Sequence, residues 1–275
     1  MNQEDQIQTN PETSVPGLEE ENYDDYEYKL NVPESDEEEE VESDLLLIDT
    51  THADMLKEKI SKGSTKAAKM MIKIFTVCFN EKELKNNSIN YQIKNAEAMN
   101  NVLETYFEEL QGFFGKGSNK KNLKQLHLIY LKNIHGFLST LENENLLTRT
   151  LSFIKGCYDQ FKAFRTLNKK LVREVLSIWQ RDPNLSVKFT AFKLIKHMFT
   201  QNENDVKDYL FKNMIKSMMN DSSHLNWFNY DKSIFMRNCI LEMIAVNPDL
   251  TYIIIYENLK QLSELYLKIS KDKVS

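Results

Sequence analysis

Glycine and proline are scarce in this 275-residue sequence, and both thin out along it. Seven glycines occur and none follows Gly156; of five prolines, only Pro183 and Pro248 lie beyond Pro33. Turn-rich β folds need both residues at many corners and helix interiors reject them, so the scarcity argues for helices. Pro183 and Pro248 each follow an Asp or Asn able to cap a helix while proline takes its first position, and both mark expected helix starts. Cysteine is equally sparse. Cys78, Cys157 and Cys239 lie far apart, without the Cys-x-x-Cys pairing of zinc or redox sites and without a secretory leader, as expected of buried thiols in a reducing compartment. The most apolar run, "YIIIY" at 252–256, falls far short of the roughly 20 residues that span a bilayer. Glu257 and Lys260 follow it at once, so no membrane span is expected.

The sequence also lacks the motifs of catalysis. "SKGSTK" and "FFGKGSNKK" contain glycine and lysine without the spacing of a phosphate loop, and they read as turns between helices. There is no Gly-x-Ser-x-Gly elbow and no His-Glu-x-x-His pair. Of the five histidines only His127 and His135 are close in sequence, and no carboxylate or cysteine completes a ligand set, so packed or surface roles are expected. The expectation is a non-enzymatic chain with no catalytic residue, no cofactor, no metal and no small-molecule substrate.

Charge is plentiful but divided. The first 44 residues carry 17 acidic side chains and a single basic one, Lys29. Such self-repulsion with little to bury predicts a disordered acidic tail over 1–44. The remainder holds 34 basic against 24 acidic residues, so a basic body is expected to carry an acidic arm. That arm either covers the body, reaches a second basic partner, or only keeps the chain soluble. Ser35, followed by Asp and four Glu, is a candidate phosphorylation site.

Apolar spacing supplies the helices. Leu123, Leu126, Tyr130, Ile134, Phe137 and Leu141 step by three or four; so do Val187, Ala191, Leu194 and Met198, and again Ile255, Leu259, Leu262, Tyr266 and Ile269. Helices are predicted near 52–61, 64–80, 94–114, 120–141, 143–157, 168–181, 184–200, 204–220, 231–246 and 248–270, with no strands. "DPNLS" at 182–186 echoes "NPDLT" at 247–251, each joining two apolar helices. Antiparallel helices joined by short capped turns build solenoids, so the expected fold is all-α, a HEAT/armadillo-like helical repeat over 45–270 with a short tail at 271–275.

Two candidate surfaces emerge. Trp227, Phe228 and Tyr230 cluster in a predicted loop, where they would anchor a partner, stack a base or fold back as a plug, whereas Trp179 falls in an apolar stripe and reads as core. Lys162, Arg165, Lys169 and Arg173 would form one basic stripe suited to phosphates on a continuous helix; a helix starting at Asn168 would break it into a solvated face.

From Val172 onward the order of features resembles the nucleolar complex protein 2 family. The family's Phe-Met-x-Asn-Ser-x-x-Glu-Leu segment matches at Phe235, Met236, Asn238, Cys239, Glu242 and Met243, with Cys for Ser and Met for Leu. Its Trp before a short loop falls on Trp179, and its Gln-Leu helix end on Gln261 and Leu262. Upstream, "YQIKNAEAMNNVLETYF" at 91–107 is similar to the family's Tyr-x-Ile-x-Ser-x-x-x-Phe-Asn segment, with Asn95 for Ser and Met99 for Phe. Members usually continue well beyond the Gln-Leu helix and carry longer basic flanks, so a compact version holding the first half of the helical domain is expected. The resemblance implies a HEAT-like assembly factor for the large ribosomal subunit precursor (pre-60S) in the nucleus, nucleolus and nucleoplasm. It also implies a nucleolar complex protein 1 or 3 type partner, and a basic body of this kind tolerates ribosomal RNA, with direct contact left open. Asn238 and Glu242, with Phe235 and Tyr256, then become partner-binding candidates alongside the Trp227 cluster. A general helical adaptor in nuclear transport or trafficking is the alternative.

Overall fold

The computed structural model describes residues 46–79, 91–115, 121–222 and 230–272. The acidic segment 1–44 with Ser35, and Trp227 and Phe228, lie outside these residues. What is described is almost wholly helical, as the glycine and proline distribution predicts. After the short strand β1 (Leu46–Ile48) come α1 (Thr50–Ser61) and α2 (Thr65–Phe79). The strand β2 (Tyr91–Ile93) then leads into α3 (Ala96–Glu104), a π-helical turn (Thr105–Glu109) and α4 (Leu110–Gly115). Next are α5 (Lys121–Thr140), α6 (Glu144–Gly156), the short α7 (Tyr158–Lys162) and α8 (Arg165–Arg181). The last four helices are α9 (Leu185–Gln201), α10 (Asn204–Ser222), α11 (Tyr230–Val246) and α12 (Pro248–Asp272). The strands correct the expectation of none: β1 and β2 pair in parallel, with Leu47 opposite Gln92. The last helix, α12, continues to Asp272, two residues into the expected tail at 271–275.

Helix ends follow side-chain chemistry. Asp49, Asn95, Asn143, Asn184 and Asn247 each sit before a helix and accept a hydrogen bond from a backbone N–H of its first turn. Pro248 takes the first position of α12 as expected, with the Thr251 hydroxyl donating to Asn247 O at 2.7 Å. Pro183 does not: α9 starts two residues later, because Asn184 is the better cap and the Asp182 carboxylate accepts from Asn184 N–H at 2.8 Å. Gly63 ends α1 at φ 87°, where Gly63 N–H donates to Ile60 O and Ser64 N–H to Lys59 O. "SKGSTK" is therefore a helix stop. Replacing Asn247 with Ala is expected to cost about 1 kcal/mol, read as a lowered denaturation midpoint at unchanged m-value. An unchanged midpoint would mean Pro248 and Thr251 hold the turn without it.

The N-terminal helices enclose an aromatic cluster. Phe75 on α2 stacks on Tyr106 with centroids 3.6 Å apart and meets Phe137 of α5 edge-on at 5.4 Å. The π turn makes this possible. Thr105, Tyr106 and Phe107 are consecutive yet all buried, which the 100° step of an α-helix does not allow on one narrow face. Leu110 N–H reaches Thr105 O, five residues back, and Phe107 O instead receives the Tyr130 hydroxyl at 3.5 Å. The Tyr106 hydroxyl returns a bond to Tyr130 O at 3.1 Å. Nearby, Asn133 donates to the buried Thr76 hydroxyl at 2.7 Å, joining α5 to α2.

From α5 onward, with α7 set aside, most helices pack against the neighbours one and two positions along: α5 on α6 and α8, α8 on α9 and α10, α9 on α10 and α11, α10 on α11 and α12. The short α7 packs on α8 and is tied in by polar bonds. The Tyr158 hydroxyl donates to Asn168 Oδ1 at 2.7 Å, and Asn168 donates to Asn202 Oδ1 at 3.0 Å. Asn168 is therefore a buried interior residue of α8, not a helix start; the break falls at Ala163 and Phe164. Lys188 of α9 is 1% exposed and donates to Trp179 O at 2.6 Å and Gln180 O at 2.9 Å, satisfying carbonyls in the last turn of α8 with a cation.

Candidate interaction surfaces

Two surfaces differ sharply in chemistry. The first lies on α11 and α12. Their turn at Asn247 sets the helices against each other, and α12 also packs on α10. Thr251 and Ile254 face that contact and are buried. The opposite face exposes Tyr252 (69%), Ile253 (54%), Tyr256 (58%) and Leu259 (57%), and the two tyrosine rings stack at 6.3 Å. The spacing that puts Leu259 in one apolar row with Ile255 is split by the packing: Leu259 is exposed, whereas Thr251, Ile254 and the partly buried Ile255 turn inward. Leu241 of α11 is exposed as well.

The residues of the resemblance divide between core and surface. Met236, Cys239 and Met243 point inward, and Phe235, expected at a partner, packs instead against the core. Asn238 and Glu242 share the exposed side of α11 with Leu241, as a spacing of four residues requires. Glu242 is already engaged by Lys196 of α9 at 2.9 Å, a pair exposed enough to contribute at most about 1 kcal/mol. Tyr230 is half-exposed at the start of α11. Trp179, fully buried, aims its indole toward the Cys239 thiol, so two separate matched positions meet in one core contact between α8 and α11. Burial pushes that thiol up to about 12, against a smaller opposing pull from the indole.

The second surface is the outward half of α8. Arg165, Lys169 and Arg173 share a face at steps of four. Lys170 and Arg181, not among the sequence candidates, extend it; Lys170 was legible as the neighbour of Lys169. Lys162 does not belong to the row. It lies on α7, and its ammonium donates to Gln201 O at the end of α9. Arg165 is 4.0 Å from Asp205, while Glu174 sits at the far edge beside His135.

The two neighbouring histidines are packed. His127 stacks on Phe114 at 4.6 Å and bonds Gln160 Oε1 at 3.0 Å; burial lowers its pKa below the ordinary 6.5, and burial lowers that of His135 too. Among the described residues no three His, Cys, Asp or Glu side chains are grouped to hold a metal, and no helix is long and apolar enough to cross a membrane. An open cleft of about 230 Å³ between α5, α6 and α8, edged by Ser139, Glu174 and Arg181, gathers no nucleophile with a base.

These groups set a pH window. Histidines held neutral by burial contribute stability above the unfolded value near 6.5 that is lost as pH falls below it. Cys157 and Cys239, both pushed up by burial to about 12 from an ordinary 9.0, contribute stability below pH 9 that is lost as pH rises toward 12. The thermal midpoint is expected to be highest between roughly pH 6.5 and 9 and to fall on both sides. A midpoint still rising at pH 10 would contradict the buried thiols.

No protein-family model matches the sequence, and no curated protein matches it significantly.

Proposed function

We propose that this chain is a non-enzymatic helical scaffold that works with a second helical protein in maturation of the large ribosomal subunit precursor, in the nucleolus and nucleoplasm. The observation that carries the reading is the exposed row Tyr252, Ile253, Tyr256 and Leu259. Four large apolar side chains on one helix face cost hydration free energy unless a partner covers them, and aromatic anchors of this kind dominate protein interfaces. The occupant is a helix with its own apolar row. Packing each helix on neighbours one and two along is how a HEAT/armadillo-like solenoid grows, and a partner helix lying on this face continues the same geometry. Charge agrees: α12 carries Asp249, Glu257, Lys260, Glu264, Lys268, Lys271 and Asp272, nearly balanced and unsuited to a polyanion.

The setting comes from the resemblance of 172–262 to the nucleolar complex protein 2 family. It makes the partner a protein of the nucleolar complex protein 1 or 3 type and the assembly a pre-60S particle. The test is affinity purification of the tagged full-length protein from its own cells at moderate salt, with the bound proteins and RNA identified. A nucleolar complex partner recovered with large-subunit precursor RNA supports the reading. Transport or vesicle components without ribosomal RNA would replace it with the general adaptor.

A further inference from the structure

We infer that the outward half of α8 is a binding site for the phosphate backbone of RNA, formed by Arg165, Lys169, Lys170, Arg173 and Arg181. The inference rests on the ribosomal reading only for which RNA is met in the cell; the site itself rests on the surface.

At 100° per residue these five cations fall within one half-turn of the helix, which also holds Thr166, Ser177, Gln180 and, near its Arg165 edge, the buried Leu176. The other half supplies Leu167, Asn168, Leu171, Val172, Val175 and Trp179 to the core, and Leu176 is the one buried side chain on the basic side. Acidic groups stand at the margins, among them Asp182, which follows Arg181 and lines one cleft with it and Glu174. Asp205 of α10 stands by Arg165, and Glu174 turns toward His135 of α5. Lys169, Lys170, Arg173 and Arg181 have no salt bridge among the described residues.

A protein partner is disfavoured here. Interfaces between proteins are centred on apolar or aromatic anchors and depleted of charge at the core, and this half of α8 exposes none. A membrane is disfavoured on the same ground, since nothing apolar projects to enter it. A polyanionic strand fits. Arg165, Lys169 and Arg173 are about 6 Å apart along the axis, roughly one cation for every two phosphates of a stacked strand rising about 3.4 Å each. The contacts are to backbone, so binding is independent of base sequence and weakens with salt.

The test uses the purified full-length protein and a fluorescent single-stranded RNA of mixed sequence, with affinity measured at several salt concentrations. The variant Lys169→Glu/Lys170→Glu/Arg173→Glu is expected to bind at least tenfold more weakly at low salt. Three fewer phosphate contacts should also flatten the slope of log affinity against log salt by about 2. A control reversing three exposed cations elsewhere, Lys155→Glu/Lys193→Glu/Lys216→Glu, is expected to lose far less, with the slope kept. Should the α8 reversal disturb folding, judged by circular dichroism and thermal midpoint, Lys→Gln and Arg→Gln at the same positions replace it, with the same slope change expected. Equal losses in the α8 and control variants would overturn the site, leaving only net charge. Equal binding of polyglutamate of matched charge would overturn it in favour of an acidic protein ligand. The partner purification is read separately, so failure of either leaves the other standing.

Discussion

Aspartate at both Tyr252 and Tyr256 is expected to abolish recovery of the partner protein while the thermal midpoint stays within about 2 °C of the parent. The two effects separate because both side chains are more than half exposed and make their described ring contact with each other. Surface substitutions of this kind usually change stability by no more than about 0.5 kcal/mol. In a covered interface an aromatic anchor is worth about 2 kcal/mol or more, so losing two and burying two carboxylates predicts at least a hundredfold weaker association. Met219→Asp, on the exposed side of α10, is the control and should retain the partner. Full recovery with the double variant would show that the row on α12 does not carry the interface. If the aspartates alter the circular dichroism spectrum, Tyr252→Ser/Tyr256→Ser makes the same comparison with less strain on the helix.

The largest effect on stability is expected at Trp179. Its side chain is fully buried where α8 meets α9 and α11, and truncation to Ala removes the indole and leaves a cavity, costing about 3–5 kcal/mol. Domains of this size have only about 5–15 kcal/mol in total, so the midpoint should fall on the order of 10 °C. Trp179→Phe separates packing from polarity. The indole N–H makes no hydrogen bond of ordinary geometry and only nears the Cys239 thiol, so phenylalanine forfeits volume and at most a weak thiol contact and should cost much less than alanine. Equal costs for the two variants would mean that the indole N–H contributes through the Cys239 thiol after all. Lys188 binds backbone carbonyls of this turn, which neither substitution removes.

The fold was legible wherever one local pattern decided it. Val187, Ala191, Leu194 and Met198 read as a buried row because steps of three and four keep them on one face of α9, and all four are buried, with Phe192, Ile195 and Phe199 widening that face. The same method does not fix the phase on α12. "YIIIY" is apolar around most of its circumference, so spacing alone offers several rows, and packing on α10 and α11 selects the one through Thr251 and Ile254. A threonine in that row was unforeseeable from hydropathy; it is accommodated because its hydroxyl donates to Asn247 O. Asn168 misled for a related reason. Asparagine favours helix starts, but this one meets Tyr158 and Asn202, residues 10 and 34 positions away, and is stable inside α8 on that account.

The candidate surfaces were only half legible. A stripe at steps of four from Arg165 to Arg173 is visible in the sequence, but excluding Lys162 required knowing where α7 ends. The strands were invisible for another reason. Three residues are too few to show alternation, and β1 finds its partner more than 40 residues along the chain.

The π turn at Thr105–Glu109 amounts to one surplus residue held within a helix, the trace an insertion leaves when its neighbours refuse to move. Deleting a residue there would restore regular hydrogen-bonded rings and better local backbone geometry, yet it would rotate α4 by about 100° relative to α3. Phe114 would swing off His127, on which it now stacks at 4.6 Å, and off Tyr130, whose tilted ring lies at 5.1 Å. Chain length through this turn is therefore set by aromatic packing, and a change that shortens it must be matched by re-phasing every side chain up to Gly115.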